Sequence, residues 1–151
     1  MIRNEKLAAV VKYILEFILV GVSVLVLGLP IILKICFDNY SWTVGESYWF
    51  LLVFLWITGV LYFGVVYELR KMVVRLIHRE PFMSENVDSL KRIAVLALSI
   101  SAMYVIKIVF YISFLTVIVT MMAVLIGLFA LILAEVFRQA IEVKEENDLT
   151  I

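Results

Sequence analysis

The sequence predicts an all-α polytopic membrane protein with four transmembrane helices and cytoplasmic termini. Three observations predict this fold class: 65% of the 151 residues are hydrophobic, only 17% are charged, and the apolar residues form runs of membrane-spanning length. An ordinary soluble domain is about half apolar and about one quarter charged. A mean hydropathy of +1.11 also favours a chain that lies largely in a bilayer.

The first two spans are predicted at about 13–33 and 48–67. Each run holds about 20 mostly apolar residues, which is the helix length that crosses a hydrocarbon layer about 30 Å thick. Glu16 is the one charged residue in the first run, and the second run has none. The first run is too long for the apolar region of a cleaved secretory signal, so we interpret it as a retained span.

The remaining apolar stretch, from Ile93 to Ala134, is interrupted only by Lys107. As one helix it would be about 63 Å long, about twice the thickness of the membrane core. It is therefore predicted to turn back within about 110–116. The third and fourth spans are then expected at about 93–112 and 115–134.

The positions of Lys and Arg predict the orientation, because short cytoplasmic loops carry an excess of them. Lys34 lies between the first two spans and Lys107 lies within a span, whereas the other basic residues precede the first span or lie in the loop 68–92 or the tail 135–151. These eleven are Arg3, Lys6, Lys12, Arg70, Lys71, Arg75, Arg79, Lys91, Arg92, Arg138 and Lys144. The loop, the tail and both termini are therefore predicted to be cytoplasmic, in a multi-pass protein of the cell membrane.

Small residues recur at helical spacing in the third and fourth spans, where they would let two helices approach closely. They are Ala94, Ala97 and Ser101 in the third span, and Ala123, Gly127, Ala130 and Ala134 in the fourth. The predicted antiparallel register pairs Ala94 with Ala134. It also pairs Ser101 with Gly127. Chance clustering of small residues is the alternative.

Two ionisable residues lie inside the spans, and such residues mark ion or proton paths unless they pair or reach the membrane surface. Glu16 is predicted to pair with Lys12, four residues earlier on the same helix. Lys107 is predicted to extend its side chain to the outer surface. A direct contact between Glu16 and Lys107 is excluded, because their depths differ by about 15 Å.

Composition argues against several functions. One Cys and one His cannot form a disulfide framework or a zinc site. Thirteen basic and thirteen acidic residues lack the basic excess of a protein that binds nucleic acid directly. No nucleophile elbow, phosphate-binding loop or metalloprotease motif is present, so we expect no enzyme, no catalytic residue, no metal and no cofactor.

The distinctive polar residues lie on the predicted cytoplasmic side. The loop is predicted to form two helices joined at a Pro81–Phe82 corner, with Ser84 capping the second helix. The tail continues the fourth span and then becomes acidic. Candidate partner-binding residues are Arg75, Arg79, Pro81, Phe82, Glu85, Asn86, Glu145, Asn147 and Asp148. Contact between the basic residues and anionic lipid is the alternative.

Three short segments at the predicted cytoplasmic side carry a family resemblance. They are the segment 80–93, which begins Glu-Pro-Phe-Met-Ser-Glu-Asn-Val, and the segments 134–138 and 145–150 of the tail, which read Ala-Glu-Val-Phe-Arg and Glu-Glu-Asn-Asp-Leu-Thr. The chain resembles a family of small bacterial four-span membrane proteins of unknown function, often encoded beside a Cro-type helix-turn-helix regulator. The resemblance implies a regulatory partner and carries over no catalytic residue.

The sequence thus favours a membrane-embedded regulatory or sensory protein whose loop and tail hold a cytoplasmic partner, such as a small helix-turn-helix transcription regulator. A small transporter subunit or a bacteriocin-immunity-type membrane protein is the alternative from another class. A structural protein that only associates with further copies of itself is the third. In each case the lipid bilayer surrounds the spans.

Overall fold

The computed structural model describes residues 5–39, 48–78 and 82–149. These residues form four helices and, within these ranges, no strand. The helices are α1 (Glu5–Asn39), α2 (Tyr48–His78), α3 (Ser84–Phe110) and α4 (Phe114–Leu149). All four are long and apolar enough to cross a membrane. The predicted all-α, four-span fold class is confirmed.

Each helix packs against its neighbour in the chain, and consecutive helices run antiparallel. Among the described residues, Cα atoms approach within 8 Å between α1 and α2, between α2 and α3, and between α3 and α4, but not between other helix pairs. The bundle is therefore a layer of helices in chain order, with α1 and α4 at its edges. Large side chains on the outer faces, such as Phe17 and Leu27, are exposed and contact lipid.

α1 passes through Pro30 without ending. Proline has no backbone N–H, so the carbonyl of Val26, four residues earlier, loses its helical donor. The indole Nε1 of Trp56 in α2 donates a 2.8 Å hydrogen bond to that carbonyl. The Tyr48 hydroxyl donates a second bond, of 3.0 Å, to the carbonyl of Pro30 itself. The Trp56 bond thus replaces the donor that the proline removes from α1, and the Tyr48 bond adds a second contact between α1 and α2.

The small residues of α3 and α4 form the core of the α3–α4 interface. All seven predicted positions are buried. The predicted register is wrong by about one helical turn: Ala94 clusters with Ala130, whereas Ala134 clusters with Val87 and Leu90. A Cβ at Gly127 would lie 3.5 Å from the Ala94 carbonyl oxygen.

This shift in register arises at the turn. α3 ends at Phe110 and α4 begins at Phe114, so the chain reverses about two residues before the midpoint implied by the predicted spans. In an antiparallel pair of helices joined by a tight turn, a shift of the reversal point by two residues shifts the partner of every residue by four positions. The length of the apolar stretch alone did not indicate where the third helix would stop.

The two ends of the layer differ in chemistry. The basic end is formed by the beginning of α1, the end of α2, the beginning of α3 and the end of α4. The turn end is opposite, and it holds the end of α1, the beginning of α2 and the Tyr111–Ser113 turn.

The predicted Ser84 cap is wrong: Met83 is the N-cap, without a side-chain cap bond, and its carbonyl accepts from the backbone N–H groups of Asn86 and Val87.

Candidate functional site

At the basic end, the guanidinium of Arg75 in α2 donates hydrogen bonds to three residues of α3. Its Nη1 donates to the Ser89 hydroxyl at 2.8 Å, to the Asn86 side-chain oxygen at 3.2 Å and to the Glu85 carbonyl at 3.2 Å. Asn86 and Ser89 have no exposed surface. A buried polar group without a partner is costly. Arg75 is thus a structural centre of the loop between α2 and α3.

Three predicted site residues therefore act in one cluster, since Arg75, Glu85 and Asn86 meet there. Ser89, which completes the cluster, was missed by the sequence analysis. It lies three residues after Asn86, and this spacing places the two side chains on one face of a helix. Arg79 and Pro81 lie outside the described residues.

Glu16 pairs with a different residue from the one predicted. Its Oε1 accepts from Nη2 of Arg70 at 2.9 Å and from Nε at 3.3 Å, so the pair joins α1 to α2. The Lys12 ammonium instead lies 5.9 Å from the centre of the Tyr13 ring. The prediction chose the nearest cation on the same helix and rejected Lys107 for its depth, whereas antiparallel packing brings Arg70 to the depth of Glu16.

Glu68 of α2 is a buried acid that the sequence analysis placed only as the start of the loop. The residue is 7% exposed. Its Oε1 lies 3.1 Å from the Lys71 ammonium, and its Oε2 lies 3.6 Å from Nη1 of Arg92 in α3. Oε2 has no hydrogen bond among the described residues. The spacing of Glu68 and Lys71, three residues apart on a helix, was the available signal for this pair.

The end of α4 and the beginning of the described loop segment form a groove of ≈ 590 Å³, which we call the tail groove. It is lined by Phe82, Val136, Gln139, Ala140, Val143, Lys144, Asn147 and Asp148. The Phe82 ring packs edge-on against Phe137, with 5.2 Å between ring centres. Of the predicted site residues, Phe82, Asn147 and Asp148 meet here, whereas Glu145 is exposed and does not line the groove.

Ion pairs stiffen α4 on a different face from the groove. Arg138 bonds to the carboxylates of Glu135, three residues earlier, and Glu142, four residues later. The hydrogen bond from Arg138 holds the pKa of the Glu135 carboxyl below its ordinary value, and the charge of Lys91 in α3 acts in the same direction. Glu135 and Glu142 in turn raise the pKa of Arg138. These contacts favour a helical tail that extends beyond the apolar span.

Lys107 does not extend to the outer surface as predicted. It is 8% exposed, and its ammonium donates to the Thr116 hydroxyl across the turn at 3.2 Å. Ser113 and Thr116 hydroxyls lie 2.6 Å apart. The polar turn that follows Lys107 is folded back beside it, so the side chain has partners without leaving the protein. Glu16 and Lys107 lie at opposite ends of the layer.

Comparison with known proteins places this architecture in a family. Residues 38–151 match the family described as "Protein of unknown function (DUF2975)", so the chain belongs to that family. It is 24% identical over 152 residues to a protein of Bacillus subtilis (strain 168) called "Uncharacterized membrane protein YoaS", and the match covers 91% of this chain and 94% of that protein. No solved structure matches the chain significantly.

Proposed function

We propose that this protein is a non-catalytic membrane regulator that holds a small DNA-binding regulator at the cytoplasmic surface. The tail groove is the observation that carries the proposal. It has an apolar floor beyond the span, and its side chains Phe82, Val136 and Val143 are 43%, 50% and 57% exposed. Val136, Ala140 and Val143 follow one helical face, the pattern that receives an amphipathic helix of a partner.

The predicted orientation of the chain supports a cytoplasmic partner. Eleven of the thirteen Lys and Arg residues belong to the sequence segments at the basic end. Short cytoplasmic loops carry such an excess. With this orientation, the loop and the extended part of α4 reach into the cytoplasm, where a soluble regulator would meet them.

The charge of the tail indicates the chemistry of the partner. Asp148 lines the groove and Glu146 lies beside it, three residues after Val143, so two acids outnumber Lys144 there. A partner helix with an apolar stripe and basic flanks complements this surface. A helix-turn-helix regulator carries basic residues because it contacts DNA phosphates. Binding through those residues would keep the regulator from DNA while it is held at the membrane.

Photo-crosslinking in living cells tests the proposal. A photo-reactive amino acid at Val143 is expected to capture a small, basic helix-turn-helix protein, identified by mass spectrometry. The same amino acid at Glu145, which is exposed on the opposite face of the same helix and does not line the groove, is the matched control and should capture much less. Adding Val143→Asp to a probe at Phe82 should abolish capture, because a carboxylate interrupts the apolar floor.

The regulator's own target genes provide the second readout. Val143→Asp should change their transcription as deletion of the membrane protein does, while Glu145→Gln should not. Capture only of lipid or of unrelated proteins at Val143 contradicts the proposal. Equal capture at Val143 and Glu145 also contradicts it, because the tail groove would then confer no selectivity.

A further inference from the structure

We infer that a second groove, between α2 and α3 at the basic end, binds an anionic phospholipid of the adjoining leaflet. This headgroup groove has a volume of ≈ 400 Å³ and is lined by Gly64, Tyr67, Glu68, Lys91, Arg92, Val95 and Leu96. It is separate from the tail groove, and the inference does not depend on the proposed function.

The headgroup groove changes from apolar to basic along its length. Its membrane-side part is formed by Gly64, Val95 and Leu96. Lys91 and Arg92 precede these α3 residues by about one helical turn, or about 6 Å toward the polar end. A phospholipid has the same order of chemistry, since its acyl chains lie in hydrocarbon and its phosphate lies at the interface.

Gly64 allows α2 and α3 to approach closely at the apolar end of the groove. A Cβ at this position would lie 3.1 Å from Cδ1 of Leu96, so the Leu96 side chain packs directly over the glycine. Val95, on the α3 wall, is 64% exposed. An acyl chain lying along Val95 and Leu96 would cover this apolar surface.

Arg92 is positioned to receive a phosphate. Its side chain is 55% exposed and lies 3.6 Å from Oε2 of Glu68, and Oε2 accepts no hydrogen bond among the described residues. The carboxylate therefore orients the guanidinium by charge without occupying its N–H donors. Arginine offers several such donors in a planar fork that matches phosphate oxygens.

Among the side chains that line the headgroup groove, Lys91 and Arg92 outnumber Glu68, and Asp88, about one turn before them on α3, lies outside the lining. Glu68 is the acid that lines the groove, and Lys71, Lys91 and Arg92 are nearby cations, of which Lys71 lies 3.1 Å from Glu68 Oε1 and 5.0 Å from the centre of the Tyr67 ring. Glu135 of α4 interacts electrostatically with Lys91. Its carboxylate forms an ion pair with Arg138. Basic residues at a membrane surface attract anionic lipid.

Native mass spectrometry of the full-length protein tests the inference, with phosphatidylglycerol and phosphatidylcholine of identical acyl chains as probes. The protein should retain phosphatidylglycerol in preference to phosphatidylcholine. Lys91→Gln and Arg92→Gln should each weaken retention of phosphatidylglycerol about fivefold, the effect of one interfacial charge. Lys12→Gln removes one basic residue from the same end, outside the groove, and should leave retention within about twofold.

Three results would overturn the inference: equal retention of the two lipids, an equal loss in Lys12→Gln and Lys91→Gln, or displacement of phosphatidylglycerol by millimolar inorganic phosphate. The last result would indicate a site for free phosphate instead of lipid. Among the described residues Glu68 forms its ion pairs with Lys71 and Arg92 and none with Lys91, so Lys91→Gln keeps the test decisive if Arg92→Gln does not fold.

Discussion

The indole of Trp56 donates a 2.8 Å hydrogen bond to the backbone carbonyl of Val26. That carbonyl lacks its own helical donor because residue 30 is proline. In the hydrocarbon core, where water cannot replace the lost bond, an unsatisfied carbonyl costs several kcal/mol. Gly59, one turn after Trp56, permits the approach, since a Cβ there would lie 2.8 Å from Cγ2 of Val26. The proline in α1 and the tryptophan in α2 form one structural unit.

Trp56→Phe should therefore destabilise the protein by about 1–3 kcal/mol, because it keeps an aromatic ring but removes the donor. In a Pro30→Ala background the residue-30 N–H returns to the Val26 carbonyl, and the same change should cost less. Free energies of unfolding in mixed micelles measure both effects. Equal costs in the two backgrounds would show that Trp56 does not compensate for the proline.

Arg75 holds two fully buried polar side chains, so Arg75→Met should lower the free energy of unfolding by about 1–3 kcal/mol through unsatisfied groups on Asn86 and Ser89. Lys6→Met, at an exposed position of α1, should change it by about 0.5 kcal/mol or less. A double-mutant cycle with Ser89→Ala should show coupling. Additive effects of Arg75→Met and Ser89→Ala would contradict a shared cluster.

Two glycines allow a matched test of the α3–α4 interface. A Cβ at Gly127 would lie 2.8 Å from the Leu98 side chain, whereas a Cβ at Gly21 has nothing within 4 Å. Gly127→Leu should destabilise the protein by about 1–3 kcal/mol by overpacking, and Gly21→Leu should not. Thermal unfolding of the two variants in detergent compares them directly. Equal melting temperatures would argue against close packing at Gly127.

The composition and the apolar runs were sufficient to predict the four helices, because membrane-spanning length is a strong constraint. Local details required knowledge of neighbouring helices. The Glu16 partner could not be predicted from its own helix, since Arg70 is distant in sequence. The α3–α4 register depended on the residue at which α3 ends, which Ser113 and its apolar neighbours do not specify. The Asn86–Ser89 cluster depended on an arginine from another helix.

The Glu16–Arg70 pair provides a test of α1–α2 packing. The two side chains are about one third exposed, so a double-mutant cycle of Glu16→Gln and Arg70→Gln should give a coupling of about 0.5–1 kcal/mol. The corresponding cycle of Glu16→Gln with Lys12→Gln should give almost none. Unfolding free energies in mixed micelles provide the measurement. Coupling of Glu16 to Lys12 instead would contradict the Glu16–Arg70 pair and support the pair predicted within α1.

The proposal that the tail groove holds a cytoplasmic regulator depends most directly on which side of the membrane the basic end faces. Cysteines introduced at the exposed positions Asp38 and Glu146, in a Cys36→Ser background, report on the two ends of the layer. In intact cells a membrane-impermeant maleimide should label the Asp38→Cys protein, and the Glu146→Cys protein should react only after the cells are opened. Labelling of Glu146→Cys in intact cells, with protection of Asp38→Cys, would contradict the proposed function.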